Sequence, residues 1–228
     1  MTTTDLWHHY GRVRAAQDHA VPDCFRWSWG QTDGPGPEIL GPISGKTLAD
    51  LGSGAARHAA HLAVHCAPHR IDAVDASPAQ HGMATALYSA LSPRLRLVHQ
   101  DVVPHLHAHP DTYDVLYSLF GAVDFTDPHT LLPAAAEALR PGGLLAFSTL
   151  AHYLTGAPAQ PDVTPADVPA KTPDGENTTL RRWVLQEHVW TKALDQAGFT
   201  SIHVEEVPAG KGPRPAATLI ITAQRPTA

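Results

Sequence analysis

The chain has 228 residues, a formal net charge of −6 with histidines neutral, 43% hydrophobic and 17% charged residues. That composition fits one globular domain with some decoration and excludes a disordered chain. It also excludes a strongly basic surface, so nonspecific binding to nucleic acid or to an anionic membrane is not expected.

Cys24 and Cys66 form no C-x-x-C pair and no disulfide framework. No run reaches the ~18–20 apolar residues of a membrane helix. The opening MTTTDLWHHYGRVRAAQDHA lacks the basic start and apolar core of a secretory signal, so a cytoplasmic chain is expected. Arginine exceeds lysine, and Ala, Pro and His are plentiful, as in a GC-rich genome. Histidine number alone therefore carries no message.

Residues 1–40 are irregular and aromatic, with Trp7, Tyr10, Phe25, Trp27 and Trp29 before the breaker Gly34-Pro35-Gly36-Pro37. A helix is predicted from Leu6 to Ala20. A first strand follows over Lys46–Leu51 and an Ala-rich helix over Ala55–Cys66. The second strand, Ile71–Val74, leads to Asp75. Ser77-Pro78 then supplies an N-cap with proline in the first helical position, for a helix reaching about Leu91. Strands are predicted at Leu95–His99, Tyr113–Ser118 and Leu144–Ser148. Between the last two, Asp127-Pro128 caps a helix that Arg140-Pro141-Gly142-Gly143 stops. A Pro-rich insert spans 151–179 and reads as a loop or small cap. A helix from Val184 to Ala197 and strands at Ile202–Val207 and Thr218–Ala223 complete the chain. Such alternation predicts a parallel sheet covered on both faces, with ligands at the carboxyl ends of the strands.

Those ends carry the chemistry. Asp50-Leu51-Gly52-Ser53-Gly54 joins a strand to a helix, and its glycines let a ligand approach the backbone closely. A dinucleotide fingerprint would place a third glycine where Arg57 stands, which counts against NAD. Asp75 ends the second strand, where a carboxylate can accept from both ribose hydroxyls or simply cap the next helix. Asp101-Val102 ends the third strand. Ser118-Leu119-Phe120-Gly121 ends the fourth.

In this order these segments resemble the class I S-adenosylmethionine-dependent methyltransferases. The resemblance rests on Leu48-Ala49-Asp50-Leu51-Gly52-Ser53-Gly54, on Asp75 and Asp101, on Ser118–Gly121, and on Leu139-Arg140-Pro141-Gly142-Gly143. It covers roughly residues 46–150, with the last two strands matching the family's closing hairpin. Ala56 departs from it, since many members carry glycine there. The implied fold is α/β: a Rossmann-like seven-stranded, mostly parallel sheet with an antiparallel last strand. Residues 1–45 would be an N-terminal lid, and 46–228 the core carrying the insert. More narrowly, the chain is similar to bacterial small-molecule methyltransferases, with an aromatic N-terminal lid and a phrase like Phe120–Pro128.

The resemblance implies S-adenosylmethionine as cofactor. Its site would comprise Tyr10, Asp50, Gly52, Ser53, Gly54, Arg57, Asp75, Ala76, Asp101, Val102, Ser118 and Leu119. The substrate side would comprise Trp7, Trp27, Trp29, Phe120, Phe125 and Tyr153. The expected reaction is in-line displacement of the methyl group by an oxygen, nitrogen or carbon nucleophile of a small molecule, in secondary metabolism. His8, His9 and His152 are the candidate general bases. No metal site is expected: His58, His61 and His65, like His105, His107 and His109, read as solvated or partly packed surface histidines. Partners are a small-molecule substrate, with no nucleic acid and no membrane, in a monomer or homodimer. Two alternatives stand beside this reading: a noncatalytic S-adenosylmethionine-binding module and an NAD(P)-dependent oxidoreductase.

Overall fold

Side chains alternate between two cores along the central strands, and that alternation builds the molecule. A computed structural model describes residues 4–31, 33–211 and 215–227. The strands are β1 (Thr47–Leu51), β2 (Arg70–Asp75), β3 (Leu95–His99), β4 (Tyr113–Leu119), β5 (Leu139–Leu150), β6 (Ala166–Lys171), β7 (Asn177–Arg182), β8 (Thr200–Val207) and β9 (Thr218–Gln224). The helices are α1 (Arg12–Gln17), α2 (Arg57–His65), α3 (Pro78–Tyr88), α4 (Val102–His107), α5 (Ala122–Phe125), α6 (Pro128–Ala138) and α7 (Glu187–Gln196).

A seven-stranded sheet runs in the order β3-β2-β1-β4-β5-β9-β8. Neighbours from β3 to β5 pair in parallel, while β9 is antiparallel to both β5 and β8. Leu48, Val115, Tyr117, Ala146 and Ile220 pack on one face with α2 and α3. Leu51, Leu116, Leu145, Phe147 and Ile221 pack on the other with α4, α6 and α7. Period-two alternation sends successive residues to opposite faces, so a sheet covered on both sides needs apolar residues in nearly every position.

Four stretches differ from the sequence expectation. The helix expected over Leu6–Ala20 is a turn ending at Gly11, which has φ +71°, followed by the short α1. The Asp101 carboxylate accepts from Val103 N at 3.0 Å and starts α4, which the sequence reading passed over. The short helix α5 lies where the sequence pattern predicts no element. The Pro-rich insert carries a hairpin, β6–β7, turned at Thr172–Glu176. Val168 and Ala166 pack it against the small cluster of Leu150, Tyr153, Ala159 and Val184.

The histidines also need correcting. His61 is buried and donates Nδ1–H to the Pro22 carbonyl at 2.7 Å. His105 is fully buried beneath the sheet. Tyr113 gives its single hydroxyl proton to Asp72 Oδ2 at 2.8 Å, so it must receive Nε2–H of His105 at 2.7 Å. Local spacing could not reveal either partner.

Burial pushes the His105 pKa down to about 4, with nearby His109 adding to the effect and Asp72 opposing it. A histidine in an unfolded chain titrates near ~6.5. Between these values the unfolded state binds more protons. The stabilisation from neutral His105 is therefore complete above about pH 6.5 and is lost as pH falls toward about 4. Urea unfolding at pH 7.5 and pH 5 should show the loss, at no more than about 1.4 kcal/mol per pH unit from this group. His105→Gln should flatten that dependence; an unchanged slope in the variant would assign the acid sensitivity elsewhere.

Candidate active site

A cavity of about 1120 Å³ opens at the carboxyl ends of β1 to β4. Its first wall is the turn after β1. Gly52 has φ +75°, and a Cβ there would fall on the backbone nitrogen of Ala122. A Cβ on Gly121 would meet the carbonyls of Leu51 and Gly52 at 2.6 Å. Two loops thus touch backbone to backbone, which only glycine permits. Ser118 secures the contact: its hydroxyl donates to Leu51 O at 2.8 Å. Ala56, just before α2, has φ +58°. Left-handed backbone costs an alanine about 1 kcal/mol relative to glycine, which accounts for the family's glycine at this position.

Asp75 comes next. Its carboxylate accepts from Gly54 N at 2.8 Å and Ser77 N at 2.9 Å. Burial raises its pKa; the two backbone donors and His99 act against that, while Asp5 reinforces it. Asp50 is more extreme. It is buried, lines the cavity, and its Oδ2 has no hydrogen-bond partner among the described residues. Burial pushes its pKa up to about 8, against the pull of the Tyr117 hydroxyl. A buried carboxyl on a cavity wall with no paired cation among the described residues fits a positively charged ligand.

The N-terminal segment lies across the same space. Gln80 on α3 donates Nε2–H to the carbonyls of Trp7 and Tyr10, each at 2.9 Å. The Asp5 carboxylate accepts from Ser77 Oγ at 2.8 Å and Ala79 N at 3.2 Å. Arg57 binds Asp18 through Nη2 at 2.5 Å, tying the chain after α1 to the start of α2. Sequence reasoning missed Gln80 and Asp5. The one visible signal was a glutamine on the otherwise apolar face of α3.

The far wall is aromatic. The Trp7 ring meets Phe125 edge-on at 4.6 Å between centroids, and Trp29 meets Phe120 at 5.1 Å. Phe120 has φ +48°, a strained conformation for a bulky residue. Strand β7 brings Leu180, Arg181 and Arg182 to this wall.

Of the residues expected at a cofactor, Tyr10, Asp50, Gly52, Ser53, Gly54, Arg57, Asp75, Ala76, Asp101, Val102 and Leu119 line the cavity, whereas Ser118 is buried behind it. Of the substrate candidates, Trp7, Trp29, Phe120 and Phe125 line it. Trp27 is instead in the α2–α3 core, and Tyr153 is packed in the cluster under the hairpin. None of the three candidate bases lies on the wall. His8 Nε2 accepts from Arg12 at 2.7 Å on the surface, and His9 donates to Thr172 O at 3.0 Å. His152 donates Nδ1–H to Tyr153 O at 3.0 Å, and its Nε2 accepts from Ala217 N at 3.4 Å. That lone pair is already occupied.

Comparison with known proteins agrees with this geometry. Residues 48–143 match a family model described as a methyltransferase domain. The matched segment is similar to methyltransferase domains and covers less than half of this chain. A ubiquinone biosynthesis O-methyltransferase of Pectobacterium carotovorum subsp. carotovorum (strain PC1) is 31% identical over 108 residues, 47% of this chain and 44% of that protein. The match thus spans less than half the length of that relative. Among solved structures, an S-adenosylmethionine-dependent methyltransferase from Mesorhizobium loti superposes with a TM-score of 0.59 at 22% identity. It covers 82% of this chain and 94% of that one. Burkholderia thailandensis 1,6-didemethyltoxoflavin-N1-methyltransferase, bound to 1,6-didemethyltoxoflavin and S-adenosylhomocysteine, gives a TM-score of 0.60 at 20% identity. It covers 96% of this chain and 84% of that one.

S-adenosylmethionine fits these residues. It carries an ammonium and a sulfonium to suit the Asp50 carboxyl, and ribose hydroxyls to suit Asp75. A cation beside Asp50 favours the ionised carboxylate. Because the ligand-free carboxyl sits at about 8, binding at pH 7 is expected to release a proton. Affinity should then rise with pH toward 8. Calorimetric heats should differ between phosphate and Tris buffers, and Asp50→Asn should remove most of the difference. Identical heats in the two buffers for the unmutated protein would show that Asp50 does not change charge.

Proposed function

We propose that this chain transfers the methyl group of S-adenosylmethionine to a small, ring-bearing molecule. One observation carries the proposal: the glycine turn with its acids and the aromatic wall are two sides of one cavity. Bound S-adenosylmethionine supplies an electrophilic methyl group on a positively charged sulfur.

The chain's own residues position and enclose. Asp50, Gly52 and Gly54 would hold the amino-acid end, Asp75 the ribose, and Asp101-Val102 the base. Trp7, Trp29, Phe120 and Phe125 would hold a flat acceptor by ring contacts, as apolar pockets do. The N-terminal segment would exclude water, which favours a displacement that removes charge from sulfur. His8, His9 and His152 lie off the wall, so we assign no base to them. An acceptor already neutral as an amine, or ionised as a phenol, is then methylated through proximity and alignment. The acceptor in the Burkholderia enzyme, 1,6-didemethyltoxoflavin, supports a small molecule as substrate.

The test is direct. Purified protein, S-adenosylmethionine and a panel of phenols and aromatic amines should yield S-adenosylhomocysteine. Asp75→Ala should weaken S-adenosylhomocysteine binding at least tenfold, since hydrogen bonds to a charged acceptor are worth about 1.5–3 kcal/mol each. Trp29→Ala should slow turnover while keeping that affinity within about threefold. EDTA should leave the rate unchanged, because a sulfonium methyl group needs no Lewis acid. A protein that binds neither form of the cofactor is not a methyltransferase.

A further inference from the structure

Arg182 is a buried charge of the cavity held by several contacts. It closes β7 and is 7% exposed. Both Nε and Nη2 donate to a single oxygen, Asp124 Oδ2, at 3.1 and 2.6 Å. Asp124 is fully buried on α5, and its backbone carbonyl accepts from Trp183 N at 2.7 Å. The guanidinium carbon lies 5.5 Å from the Trp29 ring centre and 5.2 Å from that of Phe125. The plane is thus fixed by one carboxylate and two rings. Nη1 makes no hydrogen bond to any described residue. A buried guanidinium that spends two nitrogens on one oxygen keeps a further pair of N–H donors for something else.

The cavity is also polarised. Asp50, Asp75 and Asp101 line the side where β1, β2 and β3 end. Arg181 and Arg182 line the opposite, aromatic side, and Arg181 forms no ion pair among the described residues. The acidic side suits a cationic ligand. The side where Arg182 lies against the Trp29 and Phe125 rings suits a flat anion.

We infer that the acceptor site selects a planar ring compound bearing an oxyanion, with Arg182 as the specificity-determining residue and Arg181 supplementing its charge. The inference rests on the methyl-transfer reading for the word acceptor and not for the site itself. Asp124 acts as a positioning residue: it holds the guanidinium edge-on and offsets the cost of burying it. A planar fork matches a two-oxygen anion in a way that an ammonium does not.

Matched ring compounds test the inference. 4-Hydroxybenzoate, 2-naphthoate and indole-3-carboxylate are each titrated beside the corresponding primary amide, with and without saturating S-adenosylhomocysteine. Binding is read from ligand-observed NMR and from tryptophan fluorescence. At least one acid should bind ten or more times as tightly as its amide. Arg182→Lys keeps a charge opposite Asp124 but loses the fork, and should cut that ratio at least fivefold. Arg181→Gln, at an exposed position where folding is not at stake, should cut it at least twofold. Affinity for S-adenosylhomocysteine should stay within twofold in both variants. If no acid outbinds its amide, including the case where nothing binds, the inference is wrong. It is equally wrong if both variants retain the full ratio. Failure of S-adenosylhomocysteine to bind would instead remove the methyl-transfer reading, and the titrations without it would still decide the oxyanion site.

Discussion

Gly52 rests its backbone on Gly121 and Ala122, and both halves of the cavity take their position from that contact. On one side it fixes the turn that leads through Gly54 to Asp75. On the other it fixes α5, which carries Asp124 and Phe125. From Asp124 the chain of contact passes to Arg182, and from Arg182 to the Trp29 ring. A methyl donor and an acceptor must meet within a few tenths of an ångström of the right separation. Here the two sides share a backbone-to-backbone seam with no side chain between them. Any residue larger than glycine at position 52 would part the loops and carry the acids away from the aromatic wall.

Charge is arranged around the seam with the same economy. Buried carboxyls are costly unless a partner offsets the lost hydration. Asp124 has Arg182, and Asp75 has two backbone N–H groups. Asp50 lines the cavity and keeps one buried oxygen, Oδ2, with no hydrogen-bond donor among the described residues. Asp124 also keeps a buried oxygen, Oδ1, without a hydrogen-bond partner among the described residues, but Arg182 already supplies its counter-charge, whereas Asp50 has no cation paired with it there. The missing counter-charge, and not the orphaned oxygen, is what sets Asp50 apart as a candidate binding acid.

Much of this was legible in the sequence, and the limits are physical. The period-two strands, the Ser77-Pro78 and Asp127-Pro128 caps, and the glycine turn are local features, and local physics fixes them. The antiparallel closing strand was legible through the family resemblance. The hairpin was not, because β6 contains Pro169 and exposes alternate residues, so it reads as loop. Its Pro173-Asp174-Gly175 turn was the available signal. Trp27 and Trp29 stand two residues apart, yet one is in the core and the other on the wall. Composition treats them alike; only the fold distinguishes them. Arg182 lies 58 residues from Asp124, and no spacing rule connects such a pair. His105 was read as surface for the same reason, since Tyr113 and Asp72 complete its site from other elements.

The cover over the cavity is held by contacts of two kinds. The hairpin is anchored by the buried Arg182–Asp124 pair, and separating such a pair costs about 3–5 kcal/mol. It is further held by Tyr153, Val184 and their apolar neighbours. The N-terminal segment is held by Gln80 and Asp5 hydrogen bonds at its edge and by an exposed bond from His9 to the hairpin carbonyl of Thr172. Each such bond contributes about 0.5–1.5 kcal/mol net. Parting the hairpin would break one buried ion pair and its apolar contacts, whereas parting the N-terminal segment would break these bonds, the Arg57–Asp18 ion pair and the Trp7–Phe125 ring contact. Trp7 would leave Phe125, while Trp29, held through its backbone N–H to Thr218 Oγ1 at 2.9 Å, would stay.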